Sequence, residues 1–214
     1  MKRLKFEDAS KVFYFSDPHY AHVNICRGTT SWGKEGQDIT ETTRDFRTLE
    51  EMNSAIVNGI NSTVGQDDTL FCLGDWAFGN SENIALFRKR IVCRNVHLVF
   101  GNHDKHIEDT RNDFRRLFAS TSYYGEISVE GQLMVFCHYA FRVWNKSHRG
   151  AIHLYGHSHA NLEQDPNGKS IDVGIDNAIK VLGQYRPFSH KEIMDIMKNR
   201  EVHAVDHHKG DKME

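Results

Sequence analysis

The stretch VHLVFGNHDKH, Val96 to His106, decides how the chain is read. Its first five residues, Val96-His97-Leu98-Val99-Phe100, form an apolar run that reads as a buried strand. The run stops at Gly101, and Asn102, His103 and Asp104 follow. Taken alone, this is ordinary punctuation: Asn102 or Asp104 would cap the next segment and Gly101 would turn the chain. The alternative is a set of coordinating side chains held at a strand tip. The rest of the chain decides between them, by whether the pattern recurs.

It recurs four times. After VFYFS come Asp17 and His19; after TLFCLG, Asp75; after LMVFC, His138; after IHLYG, His157 and His159. Turn chemistry alone would scatter Gly, Ser and Pro over such ends. Five ends carrying Asp, Asn or His point to convergence instead, because sites in α/β sheets form beyond the carboxyl ends of strands. The pairs D-x-H and H-x-H, two residues apart on a tight exit loop, can aim at one point.

Around these runs the pattern predicts helices. Thr48 and Glu51 make a capping box, Met52, Ile56, Ile60 and Val64 recur every four residues, and Gly65 ends the helix. Ser81–Arg90 and Asp104–Phe118 read as helices. EISVEGQLMVFCHY reads as a hairpin turning at Glu130-Gly131, KSIDVGID as a further strand, and SHKEIMDIMKNR as a helix with a Ser189/Glu192 box. Alternating strands and helices followed by strands favour a layered α/β domain with mixed sheets. One domain is expected over 1–200, with a polar, flexible tail over 201–214. The segment His22–Arg47 lacks a period, and a loop of that length is often functional.

Composition excludes several classes. The net charge is -2 with neutral histidines, so no global field favours nucleic acid or membrane. No apolar run approaches the roughly 20 residues of a membrane span, and the N-terminus MKRLKFEDAS has no signal-peptide core. Cys26, Cys72, Cys93 and Cys137 form no C-x-x-C pair and are expected as free thiols, which suits the cytoplasm. There are 14 histidines, of which His207 and His208 lie in the polar end VDHHKGDKME.

Carboxylate, imidazole and amide oxygen together suit Mn, Fe, Zn or Ni rather than a soft thiolate site or an all-oxygen calcium site. The donors are too many for one tetrahedral ion, and Asp75 can bridge two.

DPH (17–19), GD (74–75), GNHD (101–104), His138 and GHSH (156–159) together resemble the five motifs of the calcineurin-like metallophosphoesterases, in that family's order. SDPHYAHVNI, EEMN, VGQDDTLFCLGDWAFG and DVGID…YRPFS resemble its small bacterial and phage phosphoesterases. The resemblance implies a four-layer α-β-β-α sandwich of two mixed sheets. It implies one metal on Asp17, His19 and His159, a second on Asn102, His138 and His157, and Asp75 between them. His103 would protonate the leaving oxygen, and Asp104 would hold its imidazole. The implied activity is a dinuclear phosphoesterase using metal-activated hydroxide, with manganese as the first choice of ion. A phosphodiester, small or nucleotide-type, is the favoured substrate. A nuclease with the same site and a non-catalytic scaffold are the alternatives.

Substrate contacts are expected from His22, Asn24, Arg27 and Arg142, with Arg44 and Arg149 as further phosphate clamps. His22 and Asn24 could equally tie the long loop to itself. His106, His148 and His153 read as rim or structural residues, and Asp172 and Asp176 as turn or supporting groups. FRRLF (114–118) fits an amphipathic helix as well as a nucleic-acid face. Pro18 fills the middle of D-x-H, and the long link over 176–185 stays unassigned.

Overall fold

The computed structural model describes residues 3–32, 43–162 and 168–202. The tail beyond Val202, with His207 and His208, and the middle of the 22–47 segment lie outside the described residues. Along the chain run β1 (Leu4–Phe6), β2 (Val12–Phe15), α1 (Leu49–Thr63), β3 (Thr69–Cys72), α2 (Glu82–Arg90), β4 (Asn95–Val99) and α3 (Lys105–Glu108). Then come β5 (Ser120–Ser122), β6 (Tyr124–Val129), β7 (Gln132–Cys137), β8 (Ile152–Tyr155), β9 (Ser170–Asp172), α4 (Ile175–Leu182), β10 (Phe188–Ser189) and α5 (His190–Met197).

Ten strands make two five-stranded sheets, ordered β10-β2-β3-β4-β5 and β1-β6-β7-β8-β9. Both are mixed: β10 against β2 and β6 against β7 are antiparallel, and the other neighbours are parallel. The apolar runs have no polar face because both faces are covered. In β2, Val12 and Tyr14 point between the sheets, where Phe71, Leu73, Phe136, Ile152 and Leu154 meet them. Phe13 and Phe15 point outward, onto a second cluster holding Met52, Ile56 and Ile60 of α1 and Phe87 of α2. α4 and α5 contribute Ala178, Ile193 and Met197 to the inter-sheet cluster. On the far face of the second sheet, Phe141 stacks on His153 at 4.9 Å. The result is two mixed sheets flanked by helices.

Local chemistry explains the boundaries. Thr48 accepts from the Glu51 amide and Glu51 accepts from the Thr48 amide, so the capping box starts α1. Ser189 and Glu192 do the same for α5. Glu130 and Gly131 both take positive φ, 47° and 85°, which matches the twist a two-residue hairpin loop needs. Two expectations change. Asp104–Phe118 is not one helix: α3 ends at Glu108, and a separate 3-10 turn covers Asp113–Leu117. Arg111 folds back on the Asp109 carboxylate, while Arg115 donates to the Ile107 and Glu108 carbonyls. A side chain thus replaces the helical partners of those carbonyls. Arg115 also lies over the Phe100 ring, 5.1 Å from its centroid, so FRRLF faces the protein interior at this residue. The unassigned link at 176–185 is largely helix α4.

Among the described residues, no helix is long and apolar enough to cross a membrane. All four cysteines are buried free thiols.

Gly59 tests the packing of α1. A Cβ there would lie 1.9 Å from the Tyr185 carbonyl oxygen. Alanine would gain about 1 kcal/mol of helix propensity. Overpacking against a backbone atom, which has no rotamer to escape into, costs about 1–3 kcal/mol. Gly59→Ala is therefore expected to lower the urea midpoint of unfolding. A raised midpoint would show that the segment at Tyr185 does not press on the helix.

Candidate metal centre

The parallel strands of both sheets release their chains toward one place. The exits of β2 and β3 are stitched together: the Asp17 amide donates to Gly74 O (3.1 Å), His19 to Asp75 O (3.1 Å) and Tyr20 to Trp76 O (3.3 Å). Asp17, His19, Asp75, His157 and His159 all hold left-handed backbone, with φ between 46° and 66°. Each such residue costs on the order of 1–3 kcal/mol, and clusters of them mark functional sites. The turns aim the side chains inward. Gly101 allows a close approach, since a Cβ there would sit 2.2 Å from Asp75 Oδ1.

The donor atoms converge in two groups. Nε2 of His19 lies 3.2 Å from Nε2 of His159 and 3.8 Å from Oδ1 of Asp17. In the other group, Asn102 Oδ1 lies 3.1 Å from His138 Nε2 and 3.0 Å from His157 Nδ1. Asp75 Oδ2 stands between them, 3.5 Å from His19 Nε2 and 3.6 Å from His138 Nε2. Two overlapping sets, Asp17/His19/His159 and Asp17/Asp75/His138, each bring one ligand atom per residue within 4.8 Å of one another.

This donor set fits metal ions. Carboxylate, imidazole and amide groups, all able to ligate a cation, crowd together here. Asp17 Oδ1 is buried with no hydrogen-bond partner. Burial pushes the Asp17 carboxyl up to about 8, although the His159 ring pulls the other way. Burial also holds the His19 imidazole well below its ordinary range, with His159 and Arg44 adding to the effect. The ring therefore stays neutral and keeps a lone pair to donate.

Supporting contacts orient the ligands. The Nδ1 of His138 lies 2.7 Å from the Leu73 carbonyl, which turns its Nε2 into the site. His159 Nδ1 lies 2.7 Å from Asp176 Oδ2. Arg44 grips the Asp176 carboxylate at 2.8 and 2.9 Å and donates to the Pro18 and Asp17 carbonyls. Burial alone would raise the Asp176 carboxyl; the Arg44 guanidinium and His159 overcome that and hold it far below the carboxylate range. Asp172 accepts from the Ala160 and Gly174 amides and fixes the turn after His157.

All seven ligand candidates, Asp17, His19, Asp75, Asn102, His138, His157 and His159, meet in this centre. His103 is exposed beside it; its amide donates to Asp75 Oδ1 at 2.9 Å and its ring packs against Phe78 and His19. Other expectations shift. The Asp104 oxygens accept from the amides of Asp75, Trp76 and Gly101, so the carboxylate clamps backbone rather than the His103 ring. Arg44 is buried structure, not a free phosphate clamp. Asn24 accepts from the Ser31 amide and hydroxyl, tying the loop to itself. Arg27 pairs with Asp45, and Arg142 and Arg149 are exposed; none of the three lines the cavity beside the centre. His22 does line it, stacked flat on Phe78 at 3.7 Å. Phe78 and the Arg44–Asp176 pair escaped sequence reasoning. Phe78, three residues after Asp75, was the one with a positional hint.

The model of the calcineurin-like phosphoesterase superfamily domain matches residues 11–173. The chain belongs to this family. All five strand-exit motifs fall inside the matched span. The chain is 26% identical over 199 residues to the uncharacterized protein MJ1445 of Methanocaldococcus jannaschii, covering 90% of this chain and 94% of that one. A protein of unknown function from Aquifex aeolicus, AQ665, shares the fold, with TM-score 0.56 and 19% identity over 86% of this chain and 98% of its own. YfcE, a phosphoesterase from E. coli, aligns with TM-score 0.40 and 16% identity over 77% and 78% of the two chains. As a member of this family the chain is a phosphoesterase in general terms, with Asp/His groups suited to divalent metal.

The buried carboxyls make a pH prediction for metal-free protein. Asp17 rises from 3.8 to about 8 and Asp104 to about 7, both chiefly by burial. A carboxyl raised in the folded state contributes stability that is complete below its unfolded value and lost as pH climbs through the folded one. His19 and His22 are lowered from 6.5, so their opposing effect is finished above that pH. Between pH 6.5 and 8 the Tm of EDTA-treated protein should fall, and its gap to Mn²⁺-loaded protein should widen. A metal-free Tm that holds or rises across this window would show that Asp17 is already ionised.

Proposed function

We propose that the protein is a dinuclear phosphoesterase that favours phosphodiesters. The observation that carries this reading is the position of Asp75 Oδ2, at 3.5 and 3.6 Å from a histidine nitrogen of each donor group. Asp17, His19 and His159 would hold one divalent ion and Asn102, His138 and His157 the other, with Asp75 shared; manganese is the first candidate for both. Two ions held there would supply Lewis acidity toward phosphoryl oxygens and a nucleophile at neutral pH.

The protein's own groups do the rest. Asn102 is a neutral ligand, so its ion keeps more positive charge toward the ester. His103, anchored through its amide to Asp75, stands exposed at the mouth and can pass a proton to the departing oxygen. Asp104 serves His103 indirectly, by fixing the turn that carries it. A protonated imidazole matters most for a poor alkoxide leaving group, which favours diesters. A small ester fits better than nucleic acid, because among the described residues the Lys and Arg lining the cavity are Arg44, already bound to Asp176, and Lys180. Four buried, unpaired thiols support a cytoplasmic setting.

Metal content is the first test. Reconstitution with Mn²⁺ should plateau at about two ions per chain by elemental analysis, the stoichiometry of two-metal sites. Asp75→Asn should weaken both, and His159→Ala chiefly one. A plateau at one ion would remove the bridge.

His103 supplies the second test. His103→Ala should keep its metals. It should lose little on an activated nitrophenyl diester, whose leaving group departs without a proton. On an alkyl or nucleoside diester kcat/KM should fall roughly a hundredfold or more, within the range of general acid catalysis. Equal losses on both substrates would take the proton-donor role from His103.

A further inference from the structure

A cavity of about 450 Å³ opens directly against His19, His159 and His103. That is within the about 300–1,000 Å³ typical of small-molecule sites. Its walls away from the metal ligands are not those of a bare phosphate site. Ile25, Trp32, Ile179 and Tyr185 supply apolar and aromatic surface. His22 lies flat on Phe78, with ring centroids 3.7 Å apart and planes 5° from parallel, so an aromatic ring backs it. Trp32 meets His22 at 5.9 Å and 89°, and the two ring systems make a corner. The Trp32 indole is 42% exposed.

The charges of this wall are also arranged for an ester. Among the described residues its two carboxylates away from the metal ligands are each paired, Asp45 with Arg27 and Asp176 with Arg44. Lys180, held to the Ala160 carbonyl at 3.0 Å, leaves positive charge on that side. An anion reaching His19 and His159 meets no bare negative charge among these groups, and whatever is joined to it enters an aromatic corner.

We infer that this pocket receives a planar aromatic group of nucleobase size carried by the phosphoester, and that Trp32 is its stacking partner. The inference rests on the phosphoesterase reading for the phosphate end of the ligand. Trp32 touches no reacting atom and sets specificity only. A stacked ring would bury exposed surface of Trp32, and stacking of a base on an aromatic side chain is typically worth about 1–3 kcal/mol by alanine substitution, about 5- to 150-fold in affinity.

The test compares two 5-phosphorylated riboses, one with a base at C1′ and one with a hydroxyl there. Calorimetric Kd values for adenosine 5′-monophosphate and ribose 5-phosphate are measured on the full Mn²⁺-loaded chain, for wild type, Trp32→Ala and Trp32→Phe. Wild type should prefer the nucleotide by about fivefold or more, as stacking of that strength requires. Trp32→Ala should lose most of that preference by weakening the nucleotide alone, and Trp32→Phe should keep most of it. Equal affinities in wild type, or equal losses on both ligands in Trp32→Ala, would overturn the inference. Turnover of a phosphoester panel separates the two readings. An active enzyme with no base preference keeps the esterase and loses the aromatic subsite. An inactive protein whose nucleotide preference depends on Trp32 does the reverse.

Discussion

The candidate centre depends on one buried carboxylate that is not a ligand. Asp104 takes hydrogen bonds from three backbone amides, those of Asp75, Trp76 and Gly101, at 2.8–2.9 Å. It thereby fastens the exit of β3 to the exit of β4. Asp75 is held in left-handed backbone, and Asn102 and His103 follow Gly101 directly. The strain at those exits is offset by charge-assisted bonds of a kind about twice as strong as neutral ones. Burial pushes the Asp104 carboxyl up to about 7, against the pull of those same amides. The clamp is therefore strongest with Asp104 ionised, and a cation held beside Asp17 and Asp75 would favour that ionised form and with it the turns that aim the ligands.

The parts of this molecule that are legible in sequence are those decided by near neighbours or by repetition. β2, β3 and β4 are apolar on both faces because helices cover one and a second sheet the other. Their runs stand out, and the polar residues that follow each run share a destination because the strands are parallel. The capping boxes at Thr48 and Ser189 are visible because both partners lie within four residues. The 104–118 segment misleads for the opposite reason. Its composition suits a helix, but Arg115 reaches back to two carbonyls and the chain turns at Asp109.

Arg44 is the clearest case of a residue that local sequence cannot interpret. It sits in an aperiodic loop, where an arginine reads as a candidate grip on phosphate. Its carboxylate partner is 132 positions away, and its other donors go to the Asp17 and Pro18 carbonyls. No local signal links Arg44 to Asp176. The pair matters because removing one member would leave the other charge buried, which costs about 3–5 kcal/mol. It would also release His159, whose Nδ1 leans on Asp176.

That relay makes the two donor groups unequal. The first group contains a fully buried carboxylate, Asp17, and a histidine backed by the Asp176–Arg44 pair. The second contains a neutral amide, Asn102, and an exposed histidine, His157, whose nitrogens burial and the neighbouring His138 make less basic. Asp75 is common to both. Under the two-metal reading, charge, burial and support all favour the ion on Asp17, His19 and His159. An ion held by Asn102, His138 and His157 would have a neutral amide among its donors and would keep more of its charge. The cavity that would take an ester opens against His19, His159 and His103, and His103, tethered by its amide to the shared Asp75, stands at the boundary between the two donor groups.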